Sequence, residues 1–425
     1  MKKSILITTL LLFLSIPAAG QMLSLDQCIE LALKNKETVK LAALDVKSAK
    51  YGKRGSLSNI LPSFGVGAGY STSNFQERYG QTSSSSRSWG LQLSQNIYDG
   101  GAWWNSIAST GNNYLISQHM ERQVKINVIY YVIQAYYGLL KSQQLLDVAR
   151  MNLMLANQQV ELVTNQFEIG AAAKTDLLKV NVLKGQAQVE VITSDAELKN
   201  AVRTLRNTMG LMGNTDPLMV DEAANTEYTI PELTAALTDM ENNNPSILAK
   251  KAQIKGAELS HKIIRGSHLP SVNLGWNYRY QAADATGLLG DDDWSSTFSV
   301  NFSVPLFTGF DLHTRTQQAK LNISKEENEF ITQLYDLRVQ LEGLLEILRN
   351  YQETIPINEE VLTSAEEDLK LVQVRYALGS VTILEVLDAQ LSVTRARSSL
   401  VSAKYDAQIQ GAALRALTGV LDRQY

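Results

Sequence analysis

Few residues of this 425-residue chain are of the types that do chemistry, and their spacing narrows the choice further. The four histidines, His119, His261, His268 and His313, do not stand at metal-ligand spacing. None belongs to a triad or a nucleophile elbow. Cys28 is the only cysteine, so an intrachain disulfide is excluded; Asp26-Gln27 precedes it where a lipid anchor would need a lipobox, and it reads as a buried structural thiol. Asp291-Asp292-Asp293 invites a calcium assignment, but no EF-hand spacing surrounds it and it reads as a solvated loop. What remains is Glu385 and Asp388, carboxylates three residues apart and therefore on one helical face. From the residues alone they are early-turn acids that stabilise a helix N-terminus by about 0.3–1 kcal/mol each. No enzyme and no cofactor is expected.

The elements that position these carboxylates are written twice. Leu61-Pro62-Ser63 returns as Leu269-Pro270-Ser271, and Ile97-Tyr98-Asp99-Gly100 as Leu306-Phe307-Thr308-Gly309. Phe167-Glu168-Ile169-Gly170 with Asp176-Leu177-Leu178 returns as Tyr376-Ala377-Leu378-Gly379 with Glu385-Val386-Leu387. All three anchors keep an offset of 208 to 209 residues. The expected fold is therefore pseudo-twofold, two large halves instead of a solenoid of short repeats.

Each half opens on two segments of period two. Phe64, Val66, Ala68 and Tyr70 alternate with serine and glycine, as do Trp89, Leu91 and Leu93 with Gly90, Gln92 and Ser94. In the second half Val272, Leu274, Trp276, Tyr278 and Tyr280 share one face, and Phe298, Val300, Phe302 and Val304 another. Strands are predicted at about 62–72, 88–98, 270–281 and 294–306. The polar segments between them, Asn74 to Ser88 and Gln281 to Asp293, are expected as outward-facing loops, with Ser83 to Ser86 a flexible tip.

Met1-Lys2-Lys3, the apolar run from Ile5 to Ile16 and Ala18-Ala19-Gly20 predict a secretory leader over residues 1–20. No later stretch approaches the roughly 20 apolar residues of a membrane helix, so a membrane span has to be made of strands. Four strands do not close a barrel, since the smallest use about eight. The edges must pair with other chains, and three copies supply about twelve strands. Between the strands lie long helices. Ala102 to Gln166 holds no proline, and Ile126, Ile129, Ile133, Tyr136 and Leu140 step by three and four, a helix of roughly 100 Å. Leu198, Val202, Leu205, Met209 and Met212 form the matching seam on the helix that returns. Pro356 is expected to kink or break the long helix of the second half. The formal net charge of -4, with basic residues scattered, offers no nucleic-acid footprint.

Over nearly its whole mature length the chain resembles the TolC family of trimeric outer-membrane efflux channels. The resemblance rests on Leu23-Ser24-Leu25-Asp26 through Leu31-Ala32-Leu33, on Val304-Pro305-Leu306-Phe307-Thr308-Gly309, and on Arg375-Tyr376-Ala377-Leu378-Gly379 through Leu384 to Gln390. It implies a mixed α and β membrane protein: a homotrimer whose twelve-stranded β-barrel meets outer-membrane lipid and continues as a long α-helical barrel through the periplasm, ringed by an equatorial belt. The corresponding divisions are a first repeat at 21–211, a linking equatorial segment at 212–244 and a second repeat at 245–425.

The resemblance also assigns the acids. The turns around Gly170 and Gly379 become the periplasmic tip, where Gly170, Ala171, Tyr376, Gly379 and Ser380 would meet an adaptor protein. Glu385, Asp388, Thr175 and Asp176 become gate and pore-lining residues, the first two as stacked anionic rings that favour cations. Family members hold the tip closed with an arginine two residues after the second glycine, bridged to a threonine and an aspartate of the first turn. Thr175 and Asp176 match that pair, but the arginine's position is Val381, which leaves Arg375 or Lys174 as candidate replacements. The function implied is a passive export conduit in the outer membrane of a Gram-negative bacterium, docked through an adaptor to an inner-membrane pump of the RND or ABC type and carrying small molecules. The alternatives are the outer channel of type I protein secretion, a periplasmic coiled-coil scaffold without a pore, and an autonomous diffusion porin.

Overall fold

The computed structural model describes residues 22–77, 80–211, 220–221, 229–282, 294–423 and 425. The expected leader at 1–20, Met212 and Asp291–Asp293 lie outside the described residues. The elements run α1 (Leu25–Asn35), α2 (Glu37–Gly55), β1 (Ser63–Glu77), β2 (Gly80–Asp99), α3 (Ala102–Glu168) and α4 (Lys174–Thr208). The order then repeats as α5 (Leu233–Asn243), α6 (Pro245–Gly266), β3 (Ser271–Ala282), β4 (Trp294–Ser303), α7 (Asp311–Ala377) and α8 (Ile383–Leu417). α3 and α7 are both 67 residues long, and α4 and α8 both 35. The internal repeat thus holds to the residue in the lengths of the long helices, and a left-handed glycine, Gly170 or Gly379, ends the first of them in each copy.

The four strands form one antiparallel sheet in the order β1-β2-β3-β4. Its register keeps the two faces distinct across every strand. Val66 lies opposite Leu91, Leu91 opposite Tyr278, and Trp276 between Leu93 and Phe298. On the other face Gly67 meets Gly90, and Asn277 lies between Gln92 and Thr297. One face is apolar and aromatic, the other small and polar, the pattern of a strand with lipid on one side and water on the other. A bulge between Asn96 and Tyr98 ends the regular pairing of β2 with β3 just before α3 begins. No helix among the described residues is long and apolar enough to cross a membrane.

The structure corrects two expectations. Ser83 to Ser86 is not a loop: β1 and β2 stay paired to Glu77 and Gly80, with Ser86 opposite Ser71 and their hydroxyls 2.8 Å apart. Fifteen residues in β1 span roughly 50 Å, longer than an apolar band of about 25 Å. The hairpin therefore continues beyond the apolar region, where strand pairing needs backbone hydrogen bonds but no apolar alternation. Nor does Pro356 break α7, which continues through it. The carbonyl that loses its donor belongs to exposed Gln352, where water can replace the missing N–H.

Apolar clusters fix the helices. The stepping residues Ile126, Ile129, Ile133 and Tyr136 of α3 are fully buried against Cys28 and Ile29 of α1, Leu205 and Met209, and Leu421 of the C-terminal turn. Ser24 starts α1 with a capping box closed by Gln27. Burial pushes the Cys28 thiol up to about 12, so it stays protonated and unreactive. A second cluster joins Met240 of α5 and Leu341, Leu345 and Leu348 of α7. Arg122 of α3 ties the ends together: it pairs with Asp422 at 2.7 Å and donates to the carbonyls of Asn243 and Gly419.

Candidate functional site

The two helical hairpins close at turns built from the same parts. After α3, Gly170 adopts φ 77°, and the Gln166 carbonyl accepts from the N–H groups of Ala171 (2.7 Å) and Ala172 (3.2 Å). After α7, Gly379 adopts φ 72°, and the Arg375 carbonyl accepts from the N–H and the hydroxyl of Ser380, each at 2.9 Å. A left-handed residue lets the chain fold back on the last helical carbonyls, and glycine does so without a Cβ clash.

The turns differ at the start of the returning helix. α8 begins on a capping box of Thr382 and Glu385, in which the Glu385 carboxylate accepts the Thr382 N–H at 3.2 Å. α4 begins on Ala173, which offers no side-chain acceptor. The positions that follow differ in charge. Asp176 pairs with Lys179 at 3.6 Å, three residues on, whereas the corresponding residues of the second hairpin are both acidic, Glu385 and exposed Asp388. Thr175 is exposed beside Asp176. Among the described residues neither Arg375 nor Lys174 forms an ion pair with Asp176.

The hairpin ends touch through an apolar cluster. Val163 of α3, Val180 of α4, Leu369 and Val372 of α7, and Ile383 and Val386 of α8 are buried together. Val381, where the family resemblance calls for an arginine, packs against this cluster with Ala172 and Leu177. At the hairpin ends, the Tyr376 hydroxyl donates across to Gln166 Oε1 at 2.8 Å. Burial, and then the negative charge of Asp176, raise the Tyr376 pKa above the ordinary tyrosine value. Among the described residues the tip is thus joined by this packing and a neutral hydrogen bond.

Sequence reasoning singled out Tyr376 and Asp176 but missed Gln166 and Lys179. Lys179 was findable, because a cation three residues after an acid on a helix is a local signal. Gln166 was not, since it meets Tyr376 across 210 residues of chain. Among the described residues no group of His, Cys, Asp or Glu could hold a metal ion. What the site presents is fixed charge and a contact surface at the end of a helical bundle.

Comparison with known proteins places this geometry. A family model described as outer membrane efflux protein matches residues 28–211 and 236–420, one match in each half. The outer membrane protein TolC of Vibrio cholerae serotype O1 is 24% identical over 380 residues, covering 87% of this chain and 84% of that protein. The alkaline protease secretion protein AprF of Pseudomonas aeruginosa is 22% identical over 310 residues, 72% of this chain and 64% of that protein. A crystal structure of CusC superposes with a TM-score of 0.85 at 18% identity, covering 95% of both chains.

Proposed function

Since the chain belongs to the outer membrane efflux protein family, we propose that three copies close one channel that carries small molecules passively from an inner-membrane pump and its adaptor to the outside. The observation that carries this reading is the incomplete sheet: four strands with apolar and polar faces and two unpaired edges, continued directly by helices of 67 residues. Such a sheet needs further copies to close, and a scaffold without a pore needs no such face. The helices, roughly 100 Å long, reach far beyond any bilayer, a length that a simple diffusion porin has no use for. The cluster of α1, the C-terminal turn and the middle of α3 supports an equatorial belt.

At the tip, the uncompensated acids Glu385 and Asp388 are proposed to form the anionic entrance. Gly170, Ala171, Gly379 and Ser380 form the exposed turns that would meet the adaptor. Tyr376 with Gln166, and Val381 with the apolar cluster, hold the hairpins together in place of a charged bridge. The similarity to AprF favours a second reading, a conduit for a secreted protein.

The test is a photo-crosslinking residue placed at Ser380 in living cells. Capture of an adaptor that co-purifies with a drug-type pump supports small-molecule efflux, and capture of one that co-purifies with a protein-secretion transporter supports the second reading. No capture by abundant, correctly inserted channel defeats the tripartite assignment.

A further inference from the structure

Charge is not spread evenly along the helices. Within ten residues of the sheet, about 15 Å of helix, the ends of α2 (46–55) and α6 (257–266) and the starts of α3 (102–111) and α7 (311–320) together carry eight Lys and Arg against two acids, Glu258 and Asp311. That is a net +6 in a chain whose formal net charge is -4. Farther from the sheet, cations on the same helices are neutralised: Lys40 of α2 by Glu37 at 3.0 Å, and Lys250 of α6 by Glu326 and Glu329 of α7 at 2.9 and 2.6 Å. Near the sheet, Lys47, Lys50 and Arg54 of α2 and Lys262 and Arg265 of α6 are exposed, and among the described residues none of the five enters an ion pair.

These five residues are turned from the water-facing side of the sheet. A recess where sheet and helices meet is lined by Ser63, Ser94 and Asn96 of the small, polar face and by Ile263, so Ile263 marks the lumenal side of α6. At about 100° per residue, Lys262 and Arg265 leave α6 about 100° and 160° away from it. The repeat makes Gly55 the counterpart of Ile263, and Lys47, Lys50 and Arg54 lie about 80°, 140° and 100° from Gly55, on one helical face. The apolar face of the sheet begins at the same level: Val272 lies opposite Phe302, each one residue from the helix-side end of its strand, and Phe302 is 68% exposed. Trp104 of α3, 64% exposed, stands in the same span and is of a type that favours the headgroup level of a membrane.

We propose that Lys47, Lys50, Arg54, Lys262 and Arg265 form a basic collar at the periplasmic rim of the sheet that binds the phosphates of anionic phospholipids in the periplasmic leaflet. The collar rests on the membrane-spanning sheet of the channel proposed above and adds what its rim binds. Cations just beneath lipid-facing rows meet lipid phosphates before any other anion. Their long apolar stems run along the rim while the charged heads reach the phosphates, and arginine holds a phosphate with two parallel hydrogen bonds. The attraction falls off within a screening length of about 8 Å, which only the membrane-proximal turns satisfy.

Full-length protein extracted from outer membranes in mild detergent and weighed intact by native mass spectrometry tests this, because each retained lipid is identified by its mass. Phosphatidylglycerol and cardiolipin should be retained in preference to phosphatidylethanolamine. The combined variant K47Q, K50Q, R54Q, K262Q and R265Q should retain about tenfold less of them. The charge-preserving variant K47R, K50R, R54K, K262R and R265K should retain them as the unsubstituted protein does, which separates charge from damage to the fold. Washing in about 1 M salt, where the screening length shrinks to about 3 Å, should strip them. Equal retention by the glutamine variant, or retention of the phosphorylated glycolipid of the outer leaflet in their place, overturns the collar. A monomeric mass with phospholipid bound removes the three-copy channel and leaves the collar standing. Recovery of the unsubstituted protein outside the membrane removes the membrane-spanning sheet, and the collar with it.

Discussion

The two hairpin tips are copies of one turn, and they have diverged where the second helix begins. The first starts on Ala173 without a cap and neutralises Asp176 with Lys179; the second starts on the Thr382–Glu385 box and sets Asp388 where the first has its lysine. One tip is loosely started and electrically neutral, the other firmly started and acidic. Duplication gave both the same backbone, and a handful of side chains then divided stability and charge between them. Glu385 has both duties, since the carboxylate that caps α8 is also one of the two acids proposed to line the entrance.

Breaking the contact that unites the tips should have the largest effect. Val381→Asp puts a charge against the apolar cluster, at a cost of about 1–3 kcal/mol, and should raise single-channel conductance in planar bilayers by loosening the contact between the hairpins. Unchanged conductance would mean that Val381 does not help to hold it. The charge difference is tested by exchange. Asp388→Lys copies the neutral pair of the first tip onto the second and should lower cation preference, read as a shift in reversal potential under a salt gradient. Lys179→Gln should shift it the opposite way. If both leave the potential fixed, neither tip lines the pore.

The capping difference is worth less. Thr382→Ala should cost about 1 kcal/mol, and Ala173→Ser should add a similar amount. Hydrogen exchange in the first turns of α8 and α4 reads both, and equal protection of the two turns in the unsubstituted protein would erase the comparison. The smallest effect belongs to the hydrogen bond between tips. Because the folded pKa of Tyr376 is raised, its contribution is fully present below the tyrosine value of about 10 and is lost as pH rises through the folded pKa. Tip protection should fall above that point, and Tyr376→Phe should weaken it by about 1 kcal/mol at neutral pH while removing the alkaline loss.

Much of this architecture was legible because it repeats. Apolar alternation from Phe64 to Tyr70 and from Val272 to Tyr280 marked strands, and the stepping from Ile126 to Leu140 marked a helix face. The serines at 83 to 86 were misread because a hairpin beyond the apolar band is held by backbone pairing, which leaves no side-chain period. Of the kink or break expected at Pro356, the break is absent: a single missing hydrogen bond on a wet helix face does not end a helix of 67 residues. Of the tip, sequence marked both glycines and the acids. It did not mark the pairing of Gln166 with Tyr376 or the burial beside Val381, since both depend on how two distant hairpins meet.

The open edges of the sheet also have a genetic consequence. Closing the proposed ring joins the open edge β4 of one copy to the open edge β1 of the next, head-to-tail, so a subunit damaged only at β1 still offers a sound β4 to its neighbour and enters a ring that it cannot close. Such an allele would act in the presence of the normal one. With equal expression of both, roughly one three-membered ring in eight would contain only sound subunits. Damage to the core around Cys28 would behave differently: a chain that fails to fold joins no ring, and its allele would be recessive.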